Sequence, residues 1–193
     1  MEGEFYITSS AFSEGGHIPR KYTSDGAGAQ VDFSPPLQWH NVPEDTETLA
    51  IIVEDIDAPD PEDPVVPFVH WVVVNIPPTL KGLPEDFKLK NFEGQAEYEG
   101  IQEGVNDFKV PGYRGPCPPK GVHRIEYRVY TLDTRVNLGH KVTAPKFLDE
   151  YSGNIIAQAT LTGVYSKEKI GKGGFIPVRL PLGGNTHNST VHQ

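Results

Sequence analysis

The chain reads as a mainly β protein: an antiparallel β-sandwich with Greek-key connections, long Pro/Gly-rich loops, and one or two short helices near the C-terminus. Three observations predict this. The apolar runs are short and rich in Val, Ile and aromatic residues, as strands are. Long stretches punctuated by turn formers separate them, and the 193 residues include 20 Gly and 18 Pro. Only one segment carries clear helix start and stop signals.

Taken in order, residues 5 to 8 (FYIT) form a short first strand. A long polar stretch follows, marked by Gly15-Gly16, Asp25-Gly26 and Pro35-Pro36. It reads as loops packed by their own side chains, with Phe33, Trp39 and Val42 as anchors and a short strand around Lys21 and Tyr22. Next come two strongly apolar runs, Leu49 to Val53 and Phe68 to Val74, separated by an acidic loop rich in proline. Neither run alternates cleanly, so both belong in a sheet covered on two sides. Asn75 and Pro77-Pro78 close the second run.

Residues 91 to 122 make another long connection, ending in PGYRGPCPPKGVHR. From Ile125 the pattern is a strand. Ile125, Tyr127, Val129 and Thr131 fall on one face and Arg124, Glu126 and Arg128 on the other, which gives one buried and one wet side. By the same parity His123 points inward with Ile125. The helix follows: Thr143 caps it, Pro145 suits its first turn, and KFLDEYSG closes at Gly153. NIIAQA is expected to add a second helical piece leading into a strand over Thr160 to Tyr165. FIPVRLPL reads as an edge strand interrupted by Pro177. Residues 1–183 therefore form a single domain and 184–193 a polar, Gly/Asn-rich flexible tail. Asn188-Ser189-Thr190 matches a glycosylation acceptor, which carries no weight without secretion.

Composition narrows the class. A single cysteine, Cys117, excludes an internal disulfide and a Cys-rich zinc site, and fits a reducing compartment. The net charge of -9 argues against a nucleic-acid binder, whose affinity comes from basic groups facing phosphates. No stretch approaches the ~20 apolar residues of a membrane span. The first residues, MEGEFYITSS, carry acid rather than base and are followed by no apolar run of signal-peptide length, and no basic amphipathic face is visible. The expectation is a cytoplasmic protein that contacts no nucleic acid and does not insert stably into membranes.

Asp55, Asp57, Asp60, Glu62 and Asp63 could be read as a calcium loop, but the pattern lacks the glycine and terminal glutamate of an EF-hand, and Pro59, Pro61 and Pro64 stiffen it. The expectation is no metal. Asp55 differs from its neighbours because it ends a buried strand, where a carboxylate needs a partner. His70, in an otherwise apolar strand and sharing a face with Phe68, Val72 and Val74, and His123, at the start of the next strand, can supply one. A lone histidine on such a face is more often a satisfied core residue. Bonded to a carboxylate, however, it has a fixed tautomer and presents its other nitrogen outward. The GPCPPKG turn adds backbone amides of fixed direction. His17 and His40 lack any catalytic or ligand spacing and read as ordinary turn histidines.

DIDAP at 55 to 59, FVHWVVVNIPP at 68 to 78 and GPCPPKGVHR at 115 to 124, with SPPLQW at 34 to 39 and ATLTGVY at 159 to 165, resemble the phosphatidylethanolamine-binding protein family in its bacterial and archaeal branch. That family includes the animal Raf kinase inhibitor proteins and the plant flowering regulators. The resemblance implies a small pocket at one end of the sandwich that takes phosphate, phosphorylethanolamine or a similar anion, with no cofactor. It places Asp55, Pro59, His70 and His123 on the pocket, with Phe68 as its aromatic residue. The turn from Gly115 to Pro119, with Cys117 and Pro118, serves as wall and donor. Asp57 and Arg124 fall at positions suited to bracing the loops by a bidentate ion pair.

One position departs from the family pattern. Many members carry Tyr directly after the His-Arg pair, where its hydroxyl helps hold the anion, and this chain has Ile125. One hydrogen bond to a charged ligand is worth ~1.5–3 kcal/mol. Tyr127 lies on the same face. No counterpart of the C-terminal helix of animal members is evident after Leu182. The expected function is a non-enzymatic anion-binding regulator. The alternatives are a kinase or protease inhibitor acting through surface loops, and a hydrolase using Asp55 with His70 or His123, with Cys117 as its only candidate nucleophile. The resemblance also implies pairing as a homodimer.

Overall fold

A computed structural model of the protein describes residues 3–25, 31–118 and 120–166. The edge strand expected at 175–182, the tail from 184 and Pro119 lie outside these described residues. The strands are β1 (Tyr6–Thr8), β2 (Leu37–His40), β3 (Thr48–Asp55), β4 (Phe68–Ile76), β5 (Gly82–Leu83), β6 (Gln102–Glu103), β7 (Val122–Leu132) and β8 (Ile155–Ser166). They build a three-stranded sheet ordered β1-β2-β5 and a five-stranded sheet ordered β6-β4-β3-β7-β8. Every pairing between these strands is antiparallel. β3 and β4 form a hairpin, and the long connection after β4 returns β7 to the far side of β3, which is a Greek-key step.

The period-two pattern explains the layers. Leu49, Ile51 and Val53 of β3 join Ile125, Tyr127 and Val129 of β7 in a core that also holds Ile7, Leu37 and Trp39 from the small sheet. Ala50 and Ile52 face the other way, with Tyr130, Leu132 and Phe147. Phe147 belongs to α1 (Ala144–Tyr151), whose cap Thr143 accepts from the Lys146 amide at 3.4 Å. The large sheet is therefore covered on both faces, as the non-alternating runs require. α1 also covers the far half of the β7 face expected to be wet, where Tyr130 and Leu132 are buried. Arg124, nearer the strand's start, remains exposed.

Three local expectations are corrected. Residues 155–159 belong to β8, which pairs with β7 along its length, from Val122↔Ser166 to Leu132↔Ile155. A run such as Ile-Ile-Ala-Gln-Ala suits either state, and the ladder decides it. Arg20–Tyr22 is a 3-10 turn rather than a strand, closed by the Thr23 amide on the Arg20 carbonyl at 3.0 Å. Asn75 does not end its strand. It sits within β4 at a φ of 61°, and its side chain binds the Val136 backbone on both sides, donating at 2.8 Å and accepting at 2.7 Å. No helix among the described residues is long and apolar enough to cross a membrane.

Candidate functional site

At one end of the inter-sheet core the ladder changes register. Val53 pairs with Trp71, but Glu54 pairs with Val69, so His70 is an extra residue on β4 opposite no partner. This β-bulge re-aims the side chain. His70 does not share a face with Val72 and Val74, as unbroken alternation predicts. Those two lie in the core under α1, whereas His70 turns with Phe68, its ring centroid 5.2 Å away, toward the cavity they both line. The strand ends that meet there, Asp55 on β3 and His123 on β7, belong to the same inward face as Val53 and Ile125.

The cavity they bound has a volume of about 480 Å³. Asp55, Pro59, Phe68, His70, Gly115, Cys117, Pro118 and His123, the eight residues selected from the sequence, all line it. Four more residues do so that the sequence reading missed: Ser24, Ala58, Phe108 and Arg114. Arg114 directly precedes the GPCPP motif, and Phe108 is an aromatic residue in a turn formed by Asn106 and Lys109. Those are the signals that could have flagged them. Ile125 and Tyr127 are fully buried and outside the lining, and the Tyr127 hydroxyl sits 3.2 Å from that of Tyr113. Tyr127 therefore does not replace the absent tyrosine. His17 pairs by backbone with Val164, and His40 stacks on Tyr6 at 4.5 Å, both away from the cavity.

His123 is fixed at both nitrogens. Nδ1 donates to Asp55 Oδ2 at 2.6 Å and Nε2 donates to the Lys120 carbonyl at 2.8 Å. A carboxylate and a carbonyl only accept, so both nitrogens carry hydrogen and the ring is an imidazolium. Burial works against that charge. The hydrogen bond and charge of Asp55, the Lys120 carbonyl and the charge of Asp57 outweigh it and raise the pKa above the ordinary histidine value. The expectation that Asp55 orients an outward-facing nitrogen is thus corrected, because the outer nitrogen is taken by Lys120.

His70 is the opposite case. Its Nδ1 donates to the Arg114 carbonyl at 2.8 Å. Burial lowers its pKa, against the opposing pull of that carbonyl and of the charges of Asp55 and Asp107. The neutral ring, with its hydrogen on Nδ1, keeps Nε2 as a bare acceptor.

The walls are held by the expected brace. Asp57 receives Arg124 Nε at 3.0 Å and the Arg124 amide at 2.8 Å on Oδ2, and Nη2 at 2.8 Å on Oδ1. Burial disfavours the charge of Asp57, but these bonds and the charges of Arg124 and His123 prevail and hold its pKa below the usual carboxylate value. Asp55 Oδ1 accepts the Asp57 amide at 2.9 Å, joining the two acids in one turn. Asp60 pairs with Lys120 at 2.8 Å, and Asp60 Oδ1 accepts the Glu62 amide at 3.0 Å. Among the described residues no three acidic, His or Cys side chains are grouped to hold a metal ion. The Gly115 turn offers fewer donors than expected, because Pro116 and Pro118 have no N–H and the Gly115 amide donates to Asp32 Oδ1 at 3.4 Å.

Residues 8–166 match the model of the phosphatidylethanolamine-binding protein family. The chain belongs to this family. Two of its relatives are UPF0098 proteins. That of Methanothermobacter thermautotrophicus is 38% identical over 161 residues, covering 83% of this chain and 98% of the relative. That of Aquifex aeolicus is 38% identical over 166 residues, covering 84% and 88%. Among solved structures, a phosphatidylethanolamine-binding protein homologue of Chlamydia trachomatis superposes with a TM-score of 0.72 at 34% identity, over 86% of this chain and 99% of that one. YbcL of E. coli gives a TM-score of 0.71 at 34% identity, over 84% and 98%.

Proposed function

We propose that this phosphatidylethanolamine-binding protein family member is a non-enzymatic binding module for small oxyanions of the phosphoryl type, such as phosphate or phosphorylethanolamine, and that occupancy of its pocket regulates a protein partner. The observation that carries this reading is the convergence of Asp55, His70, His123 and the Gly115 to Pro118 turn around one cavity at the edge of a rigid core. An oxyanion entering it meets His70 Nε2, which becomes a donor on taking up a proton. Both nitrogens of His123 are engaged, so this histidine is a poor general base for Cys117, which speaks against the hydrolase.

The test is a titration with phosphate and with phosphorylethanolamine, following the ring signals of His70 and His123 by NMR at fixed pH. Saturable shifts that vanish in Asp55→Ala are expected. Absence of any shift at millimolar ligand overturns the reading. Unchanged turnover by Cys117→Ala, for any substrate found, removes the hydrolase.

A second reading draws on the rim. Val65 and Val66 are 72% and 67% exposed on the loop that bonds back to Ala58, and Phe108 is 48% exposed at the mouth. These apolar loops suit contact with a protein such as a kinase or protease, independently of the pocket. Inhibition that survives His70→Ala would favour this route over the first. Pairing as a homodimer rests on family resemblance, and sedimentation of the purified protein tests it.

A further inference from the structure

We infer that Arg114 is the residue that grips the anionic group of the ligand, taking over the role left vacant by Ile125. The inference rests on the anion reading above and names the group that gives it affinity.

The argument proceeds by accounting for the donors on the cavity wall. His123 has both nitrogens committed, and His70 has Nδ1 committed to Arg114. The Ser24 hydroxyl donates to the Gly115 carbonyl at 3.0 Å, and the Gly115 amide to Asp32 at 3.4 Å. Asp55 and the imidazolium of His123 cancel each other's charge. The wall as folded thus offers an oxyanion little positive charge and few open donors. Among the described residues Arg114 is the only Lys or Arg that lines it.

Its side chain is loosely held. The nearest acid is Asp32, with Nε to Oδ2 at 3.6 Å, beyond the ~2.7–2.9 Å of a charge-assisted hydrogen bond. Arg124 on Asp57, with contacts at 2.8 and 3.0 Å, shows what a committed arginine looks like in the same protein. The Arg114 side chain is 45% exposed, and its guanidinium carbon lies 6.0 Å from the Phe108 ring centroid at the mouth. Its backbone, in contrast, is pinned: the amide donates to the His70 carbonyl at 3.0 Å, and the carbonyl accepts from His70 Nδ1. A fixed root and a weakly paired fork suit a residue that closes on a ligand. An oxyanion in the cavity offers the bidentate geometry that Asp32 does not, so the guanidinium exchanges Asp32 for the ligand. The ligand class that follows is an oxyanion with at least two free oxygens on one centre, such as a phosphomonoester, in preference to a halide.

The experiment is calorimetric titration of inorganic phosphate and phosphorylethanolamine into the full chain and into Arg114→Gln, Arg114→Lys and Asp32→Asn. Arg114→Gln should weaken binding at least tenfold, and Arg114→Lys should fall between it and the wild type. Asp32→Asn, which removes the competitor, should strengthen binding several-fold. Unliganded melting temperatures should stay together, because the substitution keeps the Arg114 carbonyl that holds His70. Wild-type binding with Arg114→Gln within twofold of it overturns this inference and leaves the anion reading standing. No binding of either compound by the wild type overturns both.

Discussion

Asp55 Oδ2 and His123 Nδ1 lie 2.6 Å apart at the ends of two paired strands, with the histidine fully buried and the acid 4% exposed. Removing one partner of such a pair leaves the other's charge buried, which costs about 3–5 kcal/mol. Asp55→Asn should therefore destabilise the fold at pH 6 in urea denaturation, by less than that limit because the buried ring can shed its proton. It should also move the NMR titration of His123 to lower pH, because the largest influence opposing burial is then gone and only the Lys120 carbonyl and Asp57 remain. A His123 titration unchanged in the variant would show that the pair does not set its charge.

The two histidines should tilt stability with pH in opposite directions. His123 has a raised folded pKa, so its contribution is fully present below the unfolded value of about 6.5 and is lost as pH rises through the folded value. His70 has a lowered one, so the unfolded chain takes up protons more readily, and stability falls as pH drops below about 6.5 toward the folded value. The groups facing them are Asp55, Asp57 and Lys120 for His123, and Asp55, Asp107 and Arg114 for His70. Denaturation between pH 5 and 9 should show the loss in His123→Asn shrinking as pH rises. The loss in His70→Asn should grow from pH 5 to 7. Parallel curves would contradict the assigned protonation states.

Arg124 should matter for stability more than its exposure suggests. Asp57 is 5% exposed, and Arg124→Ala removes two of the three bonds from that residue while leaving its amide in place. The loss at pH 7 should be about 1–3 kcal/mol, the cost of an under-satisfied buried acceptor. Asp57 has a depressed pKa, so this contribution is present above its unfolded value and is lost as pH falls through the folded one. Wild-type and variant denaturation curves should converge in acid.

Gly115 is required by close approach. A Cβ there would stand 2.6 Å from the Thr23 carbonyl carbon and 2.9 Å from the Ser24 amide nitrogen, both backbone atoms that cannot swing aside. Gly115→Ala should lower stability by about 1–3 kcal/mol through overpacking and push the pocket wall outward. Melting curves read the first effect and phosphate titration the second. A neutral substitution would mean that the 23–24 segment yields freely.

The strands were legible because their signals are local, and eight of the pocket-lining residues because their short motifs, taken in order, resemble a known family. Val/Ile runs bounded by prolines mark β3 and β4, and Asp55 at a strand end needs a partner. The bulge was not legible. Counting alternation from Phe68 puts His70 with Val72, and only the pairing of Glu54 with Val69 reveals the inserted residue. The state of residues 155–159 was likewise decided by a partner strand 25 or so residues away. Arg114 escaped notice because its role depends on how weakly Asp32 holds it, which is a distance and not a pattern.

The bare Nε2 of His70 leads to a last prediction, on the pH dependence of binding. Nδ1–H is committed to the Arg114 carbonyl at 2.8 Å, so His70 can donate to an anion only after Nε2 is protonated. Its lowered pKa means that this proton is absent at neutral pH and must be taken up on binding. Sulfate is the right probe because it stays a dianion throughout the range and adds no titration of its own. Its affinity should rise as pH falls from 8 to 6, by up to about tenfold per unit where a full proton is taken up. Calorimetry in buffers of different ionisation enthalpy counts that proton directly. His70→Asn should flatten the profile while keeping a donor toward the Arg114 carbonyl. A flat wild-type profile would mean that the anion sits clear of His70 and is held by other groups at the mouth.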